Sequence, residues 1–280
     1  MFSFSSIAHK ISSPLLRLYH PPFSLPLLPS SRRHNLFFLS SSSTGRNNRL
    51  SSSSSKMGGD MGIVRNAEDL VQSVMKSNDA SHDPAHVFRV RDLALSLAAE
   101  EGLSSSPDSM LIVEIAALLH DIGDYKYVSN PSEEKIAEDF LDNEGIEENK
   151  KLKILSIIKR MGFKDELGGN EYIEGDKEFG VVQDADRLDA IGAMGIARCF
   201  TFGGSRKHKL HDPAIKPRLD LSKESYMNKE EQTTINHFHE KLLKLKDLMK
   251  TESGKRRAEK RHKFMETFVQ EFYEEWDGKA

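Results

Sequence analysis

The sequence predicts an all-α fold, and three features of it carry that prediction. From residue 65 onward apolar residues recur at helical spacing, alternating β-branched runs are scarce, and Ser or Asp followed by Pro stands just before two of the longest apolar stretches. A side-chain oxygen at such a start satisfies an orphaned backbone N–H, while Pro at the first helical position has no N–H to lose. No internal repeat is visible, so these elements make one helical domain of about 215 residues.

Ala67 to Lys76 sets Leu70, Val71 and Val74 on one face, and a polar turn from Ser77 to His82 follows. Asp83-Pro84 then opens a helix to about Glu101, with Val87, Val90, Ala94 and Leu97 as its stripe, His86 in its first turn and Gly102 as its stop. Ser106-Pro107-Asp108 opens the next, whose run Met110 to Leu119 is apolar on nearly every side and therefore central; Gly123 ends it. Lys135 to Leu141, preceded by Ser132, and Ile146 to Met161, closed by Gly162, are amphipathic helices. Phe163 to Lys177, rich in Gly, Asp and Glu, is expected to be a loop. Glu178 to Ala197 returns to helix and carries Asp184, Asp186 and Asp189. The Gly-rich basic stretch Phe202 to Lys209 is expected as loop, continuing to about Ser225. Two long helices, Lys229 to Thr251 and Lys255 to Trp276, finish the chain, the second burying Phe264, Phe268, Phe272 and Tyr273.

Composition splits near residue 57. The first 56 residues hold 17 Ser, seven Lys or Arg and no Asp or Glu, the composition of an organelle transit peptide. Ser, Pro and Leu outweigh any Arg-rich amphipathic helix there, which favours a chloroplast address over a mitochondrial one; an internal start at Met57 or Met61 would leave a cytosolic form. Pro21, Pro22, Pro26 and Pro29 interrupt the apolar stretch, so no membrane span is expected. Residues 57–280 carry 33 basic and 43 acidic side chains, a net charge of −10, which disfavours a nucleic acid polymer as partner but not a small phosphorylated molecule met by a local basic patch. The single Cys199 excludes an internal disulfide and a multi-cysteine zinc site and reads as a small core residue. The long terminal helices favour a homodimer.

The chemistry-bearing residues stand at helix ends. His120-Asp121 closes the apolar run, where neighbours about 100° apart around a helix can both reach one ion only from its terminal turn. His86 sits in the first turn of an earlier helix, and Asp186 and Asp189, three apart, share a face further on. Two imidazoles with two carboxylates suit Mn²⁺ best, with Co²⁺, Fe²⁺, Ni²⁺, Zn²⁺ or Mg²⁺ as alternatives, more than Ca²⁺. The later histidines His208, His211, His237 and His239 lack metal-ligand spacing.

His82-Asp-x-x-His86-x-x-Arg89-Val90, Ala117-Leu-Leu-His-Asp-Ile-Gly123 and Asp184-Ala-Asp-Arg-Leu-Asp-Ala-Ile-Gly192 together resemble the metal signature of the HD-domain phosphohydrolase superfamily, and in particular its compact stand-alone bacterial hydrolases. The resemblance covers roughly residues 64 to 276, with the HD core at about 82–192 and the C-terminal helices at about 229–276. It implies an HD-domain helical bundle, metal-dependent hydrolysis of a phosphoester or phosphoanhydride bond, and His86, His120, Asp121 and Asp186 as metal ligands. Asp189 is then expected to stand behind them, orienting a His or holding Arg187. Branches that bind two metals recruit additional His between the His-Asp pair and the last Asp. Residues 122–185 contain none, which favours one metal and argues against the oxygenase and cyclic-dinucleotide branches.

The expected reaction uses a metal-activated water on a nucleotide or similar small phosphorylated metabolite, releasing phosphate or pyrophosphate. Asp124, three residues after Asp121, is assigned to orient or deprotonate that water. Arg89 and then Lys126 are assigned to the phosphoryl oxygens, and Arg206 and Lys207 of the Gly-rich segment are weaker phosphate candidates. A non-catalytic HD module that binds nucleotide or metal and regulates a partner is the alternative.

Overall fold

The structure is a computed structural model that describes residues 51–123, 135–163, 175–219 and 232–279. The segment expected to be leader, up to residue 50, together with Asp124, Lys126 and most of the expected loop after Phe163, lies outside those residues. Among the described residues there are nine α-helices and two short 3-10 helices, and the one β pairing is an isolated bridge between Lys209 and Thr233. None of these helices is long and apolar enough to cross a membrane.

The start signals act as the sequence implies. Helix α2 (Pro84–Glu100) is capped by Asp83, whose carboxylate accepts from the His86 N–H at 3.0 Å, and α3 (Pro107–Leu119) by Ser106, whose hydroxyl accepts from the Ser109 N–H at 3.2 Å. Helix α3 is the centre of the molecule: Leu111, Ile112, Val113 and Ile115 to Leu119 are all buried. Around it pack α1 (Ser51–Met75), α2, α5 (Glu148–Lys159) and α6 (Lys177–Asp189), with α4 (Ile136–Asn143) against α5. Helix α1 begins six residues inside the segment expected to be leader.

Three expectations need correction. The single helix expected over Glu178 to Ala197 is two, α6 and α7 (Gly192–Ser205), because the chain turns at Ala190 to Gly192. Gly192 takes φ +72° there, a left-handed conformation that side chains disfavour, and Cβ and Cγ of Arg261 fill the space a Cβ would need. The first half of the Gly-rich segment is helical, since α7 runs through Gly203 and Gly204 to Ser205, and only Arg206 to Lys209 leave the helix. A Cβ on buried Gly203 would stand 2.2 Å from Thr234 Oγ1, so that glycine permits close packing rather than a phosphate cradle.

The third correction is the helix expected over Lys229 to Thr251. Its described part is a short α8 (Asn236–Glu240) and a 3-10 helix (Leu242–Leu248), broken at Lys241. Tertiary bonds override helix propensity here: the Thr234 N–H donates to Lys209 O and the Asn236 amide to Ile215 O, while Ile235, Phe238, Leu242 and Leu245 all turn inward. Helix α9 (Glu252–Trp276) follows, capped by Thr251, and packs Phe268 and Phe272 on the core; Phe264, expected inside, is 54% exposed. Buried Asp184 joins α6 to the start of α9 by accepting from the N–H groups of Lys250 and Thr251 and from the Thr251 hydroxyl.

Candidate metal centre

Three helix ends converge on one point. His86 comes from the first turn of α2, His120 and Asp121 from the end of α3, and Asp186 from the last turn of α6. The Nδ1 of His120 lies 2.8 Å from Ala117 O, a carbonyl that can only accept, so Nδ1 carries the proton and Nε2 the lone pair. The Nδ1 of His86 lies 2.8 Å from Asp189 Oδ2, which sets the same tautomer. Both Nε2 atoms are buried without a hydrogen-bond partner.

They face the carboxylates. Asp121 Oδ2 is 3.3 Å from His86 Nε2 and 3.5 Å from His120 Nε2, and Asp186 Oδ1 is 3.5 and 3.8 Å from the same two atoms. Donors so spaced fit a divalent cation with bonds of about 2.1 Å, and leaving two lone pairs buried and unused would otherwise cost stability. Ligand atoms of His86, His120 and Asp121 all lie within 4.8 Å of one another. Burial would raise the Asp121 carboxyl, but the His120 and His86 rings hold it well below the usual carboxylate range. Burial and Asp121 oppose the charge on Asp186, but His120, His86 and Arg198 hold its carboxyl below the ordinary value.

Behind the ligands stands Asp189, 2% exposed. Its Oδ2 takes His86 Nδ1, Arg89 Nη2 at 3.0 Å and Arg198 Nη1 at 3.2 Å, while Oδ1 takes Arg89 Nε at 2.9 Å. Burial opposes its charge, yet His86 and Arg89 hold its pKa far down. Asp189 therefore meets His86, one of its two expected partners. It does not hold Arg187, whose Nη1 donates to Leu248 O at 2.7 Å. Arg89, expected on phosphate, has two of its three nitrogens on the Asp189 carboxylate. Asp124 and Lys126 lie outside the described residues.

His86, Asp121 and Asp186 open into a cavity of about 390 Å³. One wall is a single face of α7, on which Gly195, Arg198, Cys199, Phe202, Gly203 and Arg206 follow at helical spacing; Thr233, Thr234, His237 and Lys241 also line it. Arg206 lies over the Phe202 ring at 5.3 Å, whereas Lys207 is not part of the lining. Half-buried Cys199 has its thiol pushed up to about 12 by burial and is no nucleophile. His239 stacks on Tyr273, and His211 packs against Tyr273 and Trp276, so these two histidines serve packing. The residue that sequence reading passed over is Arg198; its signal was there, on the same helical face as Arg206, but only once the corner at Gly192 fixes the phase of α7.

The sequence matches the HD domain family model over residues 85–191, which contain all four converging ligands. The protein YpgQ of Bacillus subtilis is 37% identical over 213 residues, 74% of this chain and 91% of the relative. Among solved structures, a Lactobacillus plantarum protein aligns at a TM-score of 0.69 with 34% identity, over 78% of this chain and 98% of its own. An HD-superfamily hydrolase of Bacillus thuringiensis aligns at 0.57 with 36% identity over the same shares. YpgQ in complex with ADP aligns at 0.58 with 32% identity, over 78% of this chain and 100% of its own. The chain belongs to the HD-domain family, and its fold is the helical bundle of that family.

Proposed function

We propose that this HD-domain protein is a single-metal phosphohydrolase that cleaves a phosphoester or phosphoanhydride bond of a nucleotide or similar small phosphorylated metabolite. The observation that carries the reading is the pair of buried, unpartnered Nε2 atoms aimed at two anionic carboxylates where the cavity begins. His86, His120, Asp121 and Asp186 would hold the ion, and their mixed nitrogen and oxygen donors favour Mn²⁺. When bound, a divalent cation there supplies an activated water and polarises a phosphoryl oxygen.

The chain supplies the rest. Asp189 and Ala117 O keep both imidazoles in the tautomer that leaves Nε2 free. Asp124, three residues after Asp121 in sequence, is assigned to orient the attacking water and take its proton. The cavity has the size of a small-molecule site, and Arg206 and Lys241 give it cationic walls suited to a polyphosphate chain. The complex of YpgQ with ADP supports a nucleotide as ligand.

The test is a panel of nucleotides and sugar phosphates incubated with Mn²⁺, Co²⁺ or Mg²⁺, with phosphate and pyrophosphate assayed separately. Metal-dependent turnover that Asp121→Ala abolishes is the expected result. Tight nucleotide binding without turnover of any substrate would replace the reading with that of a regulatory binding module.

A further inference from the structure

We propose that Arg198 forms a phosphate subsite beside the metal centre, where its guanidinium takes a non-bridging oxygen of a phosphoryl or pyrophosphoryl group. The assignment rests on the phosphohydrolase reading and gives that site its anion-binding residue.

The side chain is 10% exposed and is held at two of its three nitrogens: Nε donates to Ser81 O at 2.6 Å and Nη1 to Asp189 Oδ2 at 3.2 Å. Those bonds fix the guanidinium plane. The third nitrogen, Nη2, makes no hydrogen bond among the described residues, and unlike Arg160 Nη2 it is not sealed from solvent. The residue lines the same cavity as His86, Asp121 and Asp186. A buried cation with one fork arm unused at the wall of a cavity is a built donor for an anion.

Charge balance points the same way. A divalent cation among Asp121 and Asp186 is neutralised by them, whereas Asp189 is shared by two guanidiniums, Arg89 and Arg198. Two guanidiniums share one carboxylate, so one positive charge is left over in a wall that water reaches poorly, and an incoming phosphate oxygen completes it. The geometry also sets a register, because Asp189 Oδ2 bonds both His86 Nδ1 and Arg198 Nη1. An oxygen on Arg198 is thereby placed relative to a metal-holding ring. Arg206, two turns further along the same face of α7 and about 12 Å away along the helix axis, stands where the remainder of an extended phosphorylated ligand would lie.

Inorganic pyrophosphate is the probe, titrated into the Mn²⁺-loaded full chain as wild type, Arg198→Lys and Arg198→Ala, with Mn²⁺ affinity measured separately for each. Lysine keeps the charge but cannot span Ser81 O, Asp189 and a phosphate together. Both variants should bind pyrophosphate about 10- to 100-fold more weakly, with Mn²⁺ affinity held within about threefold because Asp189 keeps His86 and Arg89. Added guanidinium should restore part of the binding to Arg198→Ala. Unchanged pyrophosphate affinity in Arg198→Lys overturns the subsite, as does a wild type that binds none. A parallel loss of Mn²⁺ affinity also overturns it, since Arg198 would then act only through Asp189. A wild type that binds pyrophosphate through Arg198 but turns over no nucleotide defeats the proposed function and leaves the subsite standing.

Discussion

Replacing Asp189 with Asn tests the arrangement behind the metal ligands. The carboxylate is 2% exposed and accepts from three side chains, so the substitution keeps the volume and removes the charge that balances Arg89 and Arg198. Arg89 is one-third exposed and can turn toward water; Arg198, at 10%, cannot. One buried guanidinium left without its counter-charge costs about 3 kcal/mol, near the low end for a broken buried pair. The amide can also present its NH₂ to His86 Nδ1, which would favour the tautomer with the proton on Nε2. Loss of such a ligand-orienting carboxylate lowers metal affinity about 10- to 100-fold, equivalent to about 1.4–2.7 kcal/mol.

Urea unfolding in chelator gives the first quantity and Mn²⁺ titration calorimetry the second. Arg89→Gln is the control, because it leaves Asp189 with both His86 and Arg198 and should cost no more than about 1 kcal/mol. If Asp189→Asn unfolds within about 0.5 kcal/mol of the wild type and binds Mn²⁺ within about twofold, the carboxylate is not what orients His86, and the reasoning fails.

Asp121→Ala should abolish both metal binding and hydrolysis, whereas Asp124→Asn should keep the metal and lose most of the turnover rate; a fully active Asp124→Asn would reduce that residue to a local cap. Asp176 caps α6 through the Phe179 N–H and pairs with Lys153 and Arg160; burial opposes its charge, but those partners hold the carboxyl below its ordinary 3.8. A depressed folded-state pKa contributes stability above the unfolded value and loses it as pH falls through the folded one. Asp176→Asn, which retains the cap, should therefore be less stable than the wild type at pH 7, and the two unfolding free energies should converge as pH falls below 3.8. A constant gap across that range would show that the charge is not what stabilises the start of α6.

What the sequence made legible is what is decided locally. Asp83-Pro84 and Ser106-Pro107 mark helix starts because a cap is a bond between residues three apart, and it forms whatever the rest of the chain does. The proposed ligands were legible for a related reason: His86, His120, Asp121 and Asp186 all lie at or near helix ends that such signals locate. The corner at Ala190 to Gly192 was not, since the apolar pattern runs through it and only packing against Arg261 explains the break. With the corner missed, the phase of α7 was lost and Arg198 with it. The partner of Arg89 was not legible, because Asp189 lies 100 residues away and the sequence shows a cation without the carboxylate that the fold supplies.

The two histidines are held by different means, and this has a consequence for the whole domain. His120 bonds a carbonyl three residues back on its own helix, so its ring keeps its orientation wherever α3 survives. His86 is oriented by a carboxylate 103 residues away on α6, so its orientation exists only while α2 and α6 are docked. An ion that needs both rings together with Asp121 and Asp186 therefore selects the docked arrangement of α2, α3 and α6. A bound ion would clamp the three helices that supply those side chains. Its affinity would then report their packing, so removing the Asp184 carboxylate, which fixes α6 to the start of α9 two residues before Asp186, should weaken metal binding.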